Sequence, residues 1–159
     1  MHALFILALA APWDIAKDVA GEGSTKLAEK EVNAKLMEEG RKNQCTFKTN
    51  SDKLDAGCDD KLKSLAGTLI DAKKKLNGAG VKNFKFEVSG HTDSSGDAKK
   101  NKALSGKRAA TIVTELVKRG VSKAEIISVG MAAEHPVVTP DDTPEKKAKN
   151  RRYEIQVRL

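Results

Sequence analysis

At 159 residues the chain is long enough for one core of ordinary size plus an extension, and too short for two such cores. Charged residues make up 32% of it and aromatic residues 4%, which describes a strongly solvated protein with a modest aliphatic core, and no segment reaches the roughly 18 to 20 apolar residues that span a bilayer. The net charge of +7 invites a polyanion as partner, but the lysines are spread along the chain beside acids and few aromatic rings are available for base stacking, so no nucleic acid is expected; solvated helix faces account for the charge, which also suits anionic cell-wall polymers.

Residues 1–11 form an apolar run whose Ala8-Leu9-Ala10 fits the small-x-small pattern of a signal peptidase site, although no Lys or Arg precedes it. The alternative for this segment is an apolar arm packed on the domain. No Cys follows at a lipidation position. Residues 12–43 are rich in Ala, Lys and Glu, interrupted by Gly21-Glu22-Gly23-Ser24, with Ser24 or Thr25 able to cap a new helix. Beyond that break Leu27, Val32, Leu36 and Met37 make a thin apolar stripe on a charged helix that is marginal alone. The expectation is a helical, charged tether outside the compact domain, with docking of the stripe on the domain or on a partner helix as the alternative.

Residues 44–159 form one domain. A short first strand is expected over 44–49, then a loop rich in Asn, Ser, Asp and Gly, then a helix capped by Asp59 or Asp60 that buries Leu62, Leu65, Leu69, Ile70 and Leu76 and ends near Asn77-Gly78. Residues 84–88 alternate as a half-buried strand that stops at Gly90. A second helix over 98–119 turns Leu104, Ile112, Val113, Leu116 and Val117 inward, a strand follows at 125–129, and a loop between Pro136 and Pro144 leads through a short helical turn to a last strand at 153–159. The order β-α-β-α-β-(α)-β predicts an α/β sandwich with the helices on one face of a mixed four-stranded sheet.

The even cysteine count favours one disulfide between Cys45 and Cys58, closing a short loop with a stabilisation of about 3 kcal/mol at most. Two free thiols or two metal ligands are the alternatives. The spacing is not C-x-x-C and the three histidines, His2, His91 and His135, are scattered, so neither a metal nor any other cofactor is expected.

Gly90-His91-Thr92-Asp93, Gly96, Asn101, Leu104-Ser105, Arg108-Ala109, Gly120, Gly130, Pro136 and Asn150-Arg151-Arg152 stand in an order and spacing that resembles the OmpA-like family, which includes peptidoglycan-associated lipoproteins and the wall anchor of flagellar stators. The resemblance covers 45–159 and is strongest from Phe84 onward. It implies a non-enzymatic module that binds the diaminopimelate of peptidoglycan peptide stems, located in the periplasm with an outer-membrane association or a partner protein engaged through 12–43. It further implies that Asp93 accepts hydrogen bonds from the ammonium of diaminopimelate, that Arg108 grips its carboxylate, and that Thr92, Asn101 and Arg151 line the same pocket.

The residues support a parallel reading of their own. Asn101 and Arg108 are seven positions apart on one helix, so at 100° per residue they lie within about 20° of each other. Asp93 falls in the loop before that helix, where Gly90 and Gly96 permit a tight backbone, and a carboxylate and a guanidinium can converge there on a ligand that carries an ammonium and a carboxylate. Backbone N–H groups at the helix start near Asp59 could add affinity for an anion. The structural alternatives are equally concrete. Asp93 can cap a turn or pair with Arg108, Asn101 can hold the loop backbone, and His91 reads as a packed strand end. Arg151 and Arg152 alternate, so one of them, chosen as Arg151, faces the pocket. Two positions depart from the family pattern: Ala132 replaces a second glycine after the third strand, and Thr49 replaces an apolar residue of the first. A cell-wall hydrolase or amidase, with Asp93, His91 and Asp97 as acid and base, is the competing function, but no nucleophile or metal triad accompanies them.

Overall fold

The computed structural model of the chain describes residues 12–159, and the apolar segment at 1–11 lies outside them. Helix α1 (Pro12–Lys42) is followed by α2 (Asp59–Gly78), strand β1 (Lys85–His91), α3 (Ala98–Lys118), a 3-10 turn at Lys123–Glu125, β2 (Ile126–Ala132), α4 (Pro144–Asn150) and β3 (Arg152–Arg158). The strands form one mixed sheet in the order β2-β1-β3, with β1 parallel to β2 and antiparallel to β3.

Alternation decides which face of the sheet is dry. Phe86 and Val88 of β1 pair across the sheet with Val157 and Ile155 of β3, and all four are buried with Leu62, Leu65, Leu69 and Leu76 of α2 and Ile112 and Leu116 of α3. The helices therefore cover one face, as the pattern predicts. The opposite face carries Glu87, Glu154 and Gln156. Helix α3 is seated directly on backbone. A Cβ at Gly90 would lie 2.2 Å from the Ser105 carbonyl oxygen, and one at Gly130 would lie 2.6 Å from the Gly106 nitrogen. These two paired glycines leave room for α3 against β1 and β2, and Ser105 completes the seam by accepting from the Ala132 N–H at 3.1 Å.

Three expectations change. The sheet has three strands among the described residues, not four, and 44–49 contributes only the isolated bridge Phe47↔Leu54. The outer edge of β3, where another strand could pair, is met by amide side chains. Asn33 accepts from the Val157 N–H at 2.7 Å and donates to its carbonyl at 3.4 Å, while Gln44 accepts from the Tyr153 N–H at 3.2 Å and donates to its carbonyl at 2.9 Å. Side-chain amides present the same donor and acceptor pair as a peptide, so they satisfy an edge in place of a strand.

The second change concerns the break at Gly21-Glu22-Gly23-Ser24, because α1 runs through it without interruption. Each glycine costs about 1 kcal/mol relative to Ala in a helix, and the strong helix formers on either side outweigh that. Third, the latter part of α1 is docked rather than a free tether: Ala28, Val32 and Leu36, spaced by four, are buried against α2 and β3, whereas Leu27 and Met37 of the expected stripe stay exposed. Cys45 and Cys58 are joined, with Cα atoms 5.7 Å apart. The bond fastens the segment just after α1 to the start of α2.

Candidate functional site

The loop between β1 and α3 is built by its own side chains. Asp97 caps α3 by accepting from the Lys100 N–H at 2.8 Å, and Gly96 takes a left-handed φ of 87° just before it. Asn101, one turn into α3, donates to the Ser95 carbonyl at 2.8 Å, which is the loop-holding role weighed from the sequence. Asp93 is buried. Its Oδ1 accepts from the Ser95 N–H at 2.9 Å and from the Ser95 hydroxyl, and its Oδ2 accepts from Arg151 Nη1 at 2.7 Å. Burial pushes the Asp93 carboxyl up, but the hydrogen bonds from Ser95 and Arg151 outweigh it and hold the group below its ordinary value. Thr92 is buried behind it, donating its hydroxyl to the Asp93 carbonyl at 3.0 Å and its N–H to Ala132 at 2.9 Å.

Arg108 does not pair with Asp93. Its Nε donates to the Ser51 carbonyl at 2.9 Å, its Nη2 reaches the Lys48 carbonyl at 3.5 Å, and its guanidinium lies 5.1 Å from the centroid of the Phe47 ring. Burial first and the charge of Arg151 second pull its pKa down from the usual value, with Asp52 opposing. It remains a cation, because an arginine does not deprotonate in proteins. The arrangement is thus one buried carboxylate between a serine loop and Arg151, with Arg108 turned toward a second loop and within electrostatic reach of Arg151. Of the two adjacent arginines, Arg151 is half exposed and meets Asp93, whereas Arg152 is largely buried and spends its donors on Glu154, Asn150 and His135.

Two residues that sequence reasoning passed over hold this loop. Asp141 accepts from the Ser94 N–H at 2.8 Å and from the Ser94 hydroxyl, and these bonds, with one from Asn150, take its pKa down to about 2. Asn150 is fully buried and fully used, accepting from Val137 and Val138 N–H at 2.8 and 3.0 Å and donating to the Val138 carbonyl at 2.9 Å and Asp141 at 3.0 Å. Asn150 opens the Asn-Arg-Arg motif, so its position was visible and its role was not.

The acid and base trio of the competing reading is not assembled. His91 is buried at the end of β1, bonded to Ser89 at 3.0 Å, and burial with the Arg152 charge pulls it down to about 4. Asp97 is occupied as a helix cap. The start of α2 is likewise no open anion site, since Asp59 there pairs with Arg119 at 2.6 Å and Lys63 at 2.7 Å. Among the described residues no group of three or more His, Cys, Asp or Glu could hold a metal ion, and no helix is long and apolar enough to cross a membrane.

The profile of the OmpA family matches residues 46–151. The chain is 41% identical over 70 residues to the peptidoglycan-binding protein ArfA of Mycobacterium tuberculosis, covering 44% of this chain and 21% of that protein. It is 37% identical over 83 residues to the peptidoglycan-associated lipoprotein of Pseudomonas aeruginosa, covering 52% of this chain and 47% of that one. The chain therefore spans half or less of the length of these relatives. Among solved structures, the peptidoglycan-associated lipoprotein from Burkholderia pseudomallei superposes with a TM-score of 0.58 at 23% identity, covering 72% of this chain and 89% of that chain. The C-terminal domain of Helicobacter pylori MotB gives 0.59 at 24% identity, covering 73% and 84%. These likenesses establish the fold.

Proposed function

This chain belongs to the OmpA family, and from that premise we propose that it binds peptidoglycan non-covalently, through the diaminopimelate of the peptide stem, and anchors an envelope protein to the wall from the periplasmic side. The observation that carries the reading is a buried, ionised Asp93 held in contact by Arg151, with the Arg108 guanidinium within electrostatic reach of Arg151. A zwitterionic amino acid head group offers the complementary charges. The Asp93 carboxylate has one acceptor site, on Oδ2, beyond those taken by the two Ser95 donors and Arg151 and can accept from an ammonium, while Arg108 keeps its Nη1 donors for a carboxylate. The family match over residues 46–151 includes Asp93, Arg108 and Arg151, and relatives in it are named for peptidoglycan binding or association. Thr92 and Asn101 support the loop from behind and from α3.

Isothermal titration with a muropeptide carrying meso-diaminopimelate tests this. Saturable binding that is lost in both Asp93→Ala and Arg108→Ala is the expected result, and binding unchanged in both variants removes the assignment.

A further inference from the structure

Arg108 owes its orientation to a loop that the sheet does not hold. Residues 46–57 leave the end of α1 at Cys45 and return at Cys58, the residue that caps α2. Inside, the loop is closed by few backbone bonds: Lys48 N–H to the Lys53 carbonyl at 2.9 Å, Ser51 N–H to Lys48 at 3.1 Å and Asp55 N–H to Thr46 at 3.0 Å. Its tip offers three carbonyl oxygens to α3. Those of Ser51 and Lys48 take Arg108, and that of Asp52 takes the Thr111 hydroxyl at 3.1 Å. Phe47 supplies the surface on which the guanidinium rests.

A guanidinium is a rigid fork, so fixing its Nε and Nη2 donors fixes where its Nη1 donors point. Three short-range backbone bonds, two of which make the isolated bridge between Phe47 and Leu54, are a weak frame for that task, and the covalent closure between Cys45 and Cys58 removes the freedom at the loop's two ends. We infer that the disulfide-closed loop is a positioning element for the binding site, with Phe47 and the 48–51 turn acting through Arg108, so that affinity for the wall peptide depends on the Cys45–Cys58 bond. This rests on the function proposed above.

The test compares the wild type, Phe47→Leu and the double variant Cys45→Ser with Cys58→Ser in titrations with a muropeptide carrying meso-diaminopimelate. Hydrogen exchange at the Arg108 Nε–H and at the β1 amides is followed by NMR in the same samples. Because loss of preorganisation appears as loss of affinity, both variants should bind about tenfold more weakly. The Arg108 Nε–H should lose its protection while the β1 amides keep theirs. Unchanged affinity overturns the inference, and so does weaker binding with the Arg108 Nε–H still protected, because the loss would then arise elsewhere. Should the double serine variant unfold by circular dichroism, Phe47→Leu decides alone with its disulfide intact. Failure of the wild type itself to bind overturns the site assignment and this inference with it, a pattern distinct from failure of the variants.

Discussion

Arg151 donates from Nη1 to Asp93 Oδ2 at 2.7 Å, which links the start of the last strand to the loop before α3 across 58 positions of sequence. The arginine side chain is about half exposed, so water screens the pair. Arg151→Ala should therefore lower stability by no more than about 1 kcal/mol in urea denaturation. Its effect on muropeptide affinity should be about tenfold, smaller than for Asp93→Ala or Arg108→Ala, because it removes one charge-assisted contact and leaves the carboxylate in place. Titration of the three variants side by side checks the ranking.

Gly130→Ala should destabilise the protein by about 3 kcal/mol or more, since its Cβ would meet backbone of α3 that cannot move aside. Gly67→Ala is the control. Nothing lies within 4 Å of a Cβ there, in the middle of α2, so the substitution should raise stability by about 1 kcal/mol through helix propensity. Thermal and urea unfolding of the two variants should move in opposite directions.

Removing the amides at the edge of β3 should cost stability and solubility together. Asn33→Ala abandons one N–H and one carbonyl of Val157, at about 1 to 3 kcal/mol. The double variant with Gln44→Ala frees the Tyr153 groups as well, and light scattering should show concentration-dependent association through the uncovered edge.

Acid should weaken the fold in two stages. His91, lowered to about 4, stays neutral in the folded chain while the unfolded chain takes up a proton near the ordinary value of 6.5. Stability is then lost as pH falls from about 6.5 to about 4, by on the order of 3 kcal/mol at full extent. Asp141 and Asp93 are also depressed, so their contributions are present above the ordinary carboxylate value and lost as pH falls below it, toward about 2 for Asp141. Urea midpoints measured from pH 8 to 3 should fall through the first window in the wild type and stay flatter there in His91→Gln.

Ala132 takes φ of 47°, a left-handed conformation that an alanine holds at a cost of roughly 1 to 2 kcal/mol. Ala132→Gly should relieve it and stabilise the protein by about 0.5 kcal/mol after the entropy glycine adds to the unfolded chain, as read from the shift in urea midpoint.

Periodicity and motif spacing carried most of the fold. Helices α2 and α3 fall within a residue of the expected limits because leucine and isoleucine spacing marks their buried stripes, and β1 and β3 follow from strict alternation. Asp93, Asn101, Arg108 and Arg151 were singled out by the order and spacing of the motif and the family resemblance it carries, and for Asn101 and Arg108 also by helical spacing, none of which needs tertiary knowledge. The strand expected at 44–49 was not, because a short polar stretch carries no sign of whether its neighbour is a strand or a pair of amides. Nor could the stripe on α1 tell docking from tethering, as apolar spacing gives a face and not the surface that covers it.

By itself, then, the sequence determined which residues are chemically equipped to form a site and that they come from one loop, one helix and the approach to the last strand. Only the tertiary structure decided who holds whom: Arg151 and not Arg108 meets Asp93, Arg108 is committed to the Cys45–Cys58 loop, and Asp141, held by Asn150, ties its loop to the Asp93 loop. These are contacts between residues far apart in the chain. Their partners are chosen by the docking of α3 on the paired glycines Gly90 and Gly130 and by where the Cys45–Cys58 loop, expected from the cysteine count, comes to lie against α3, and no local pattern encodes either placement.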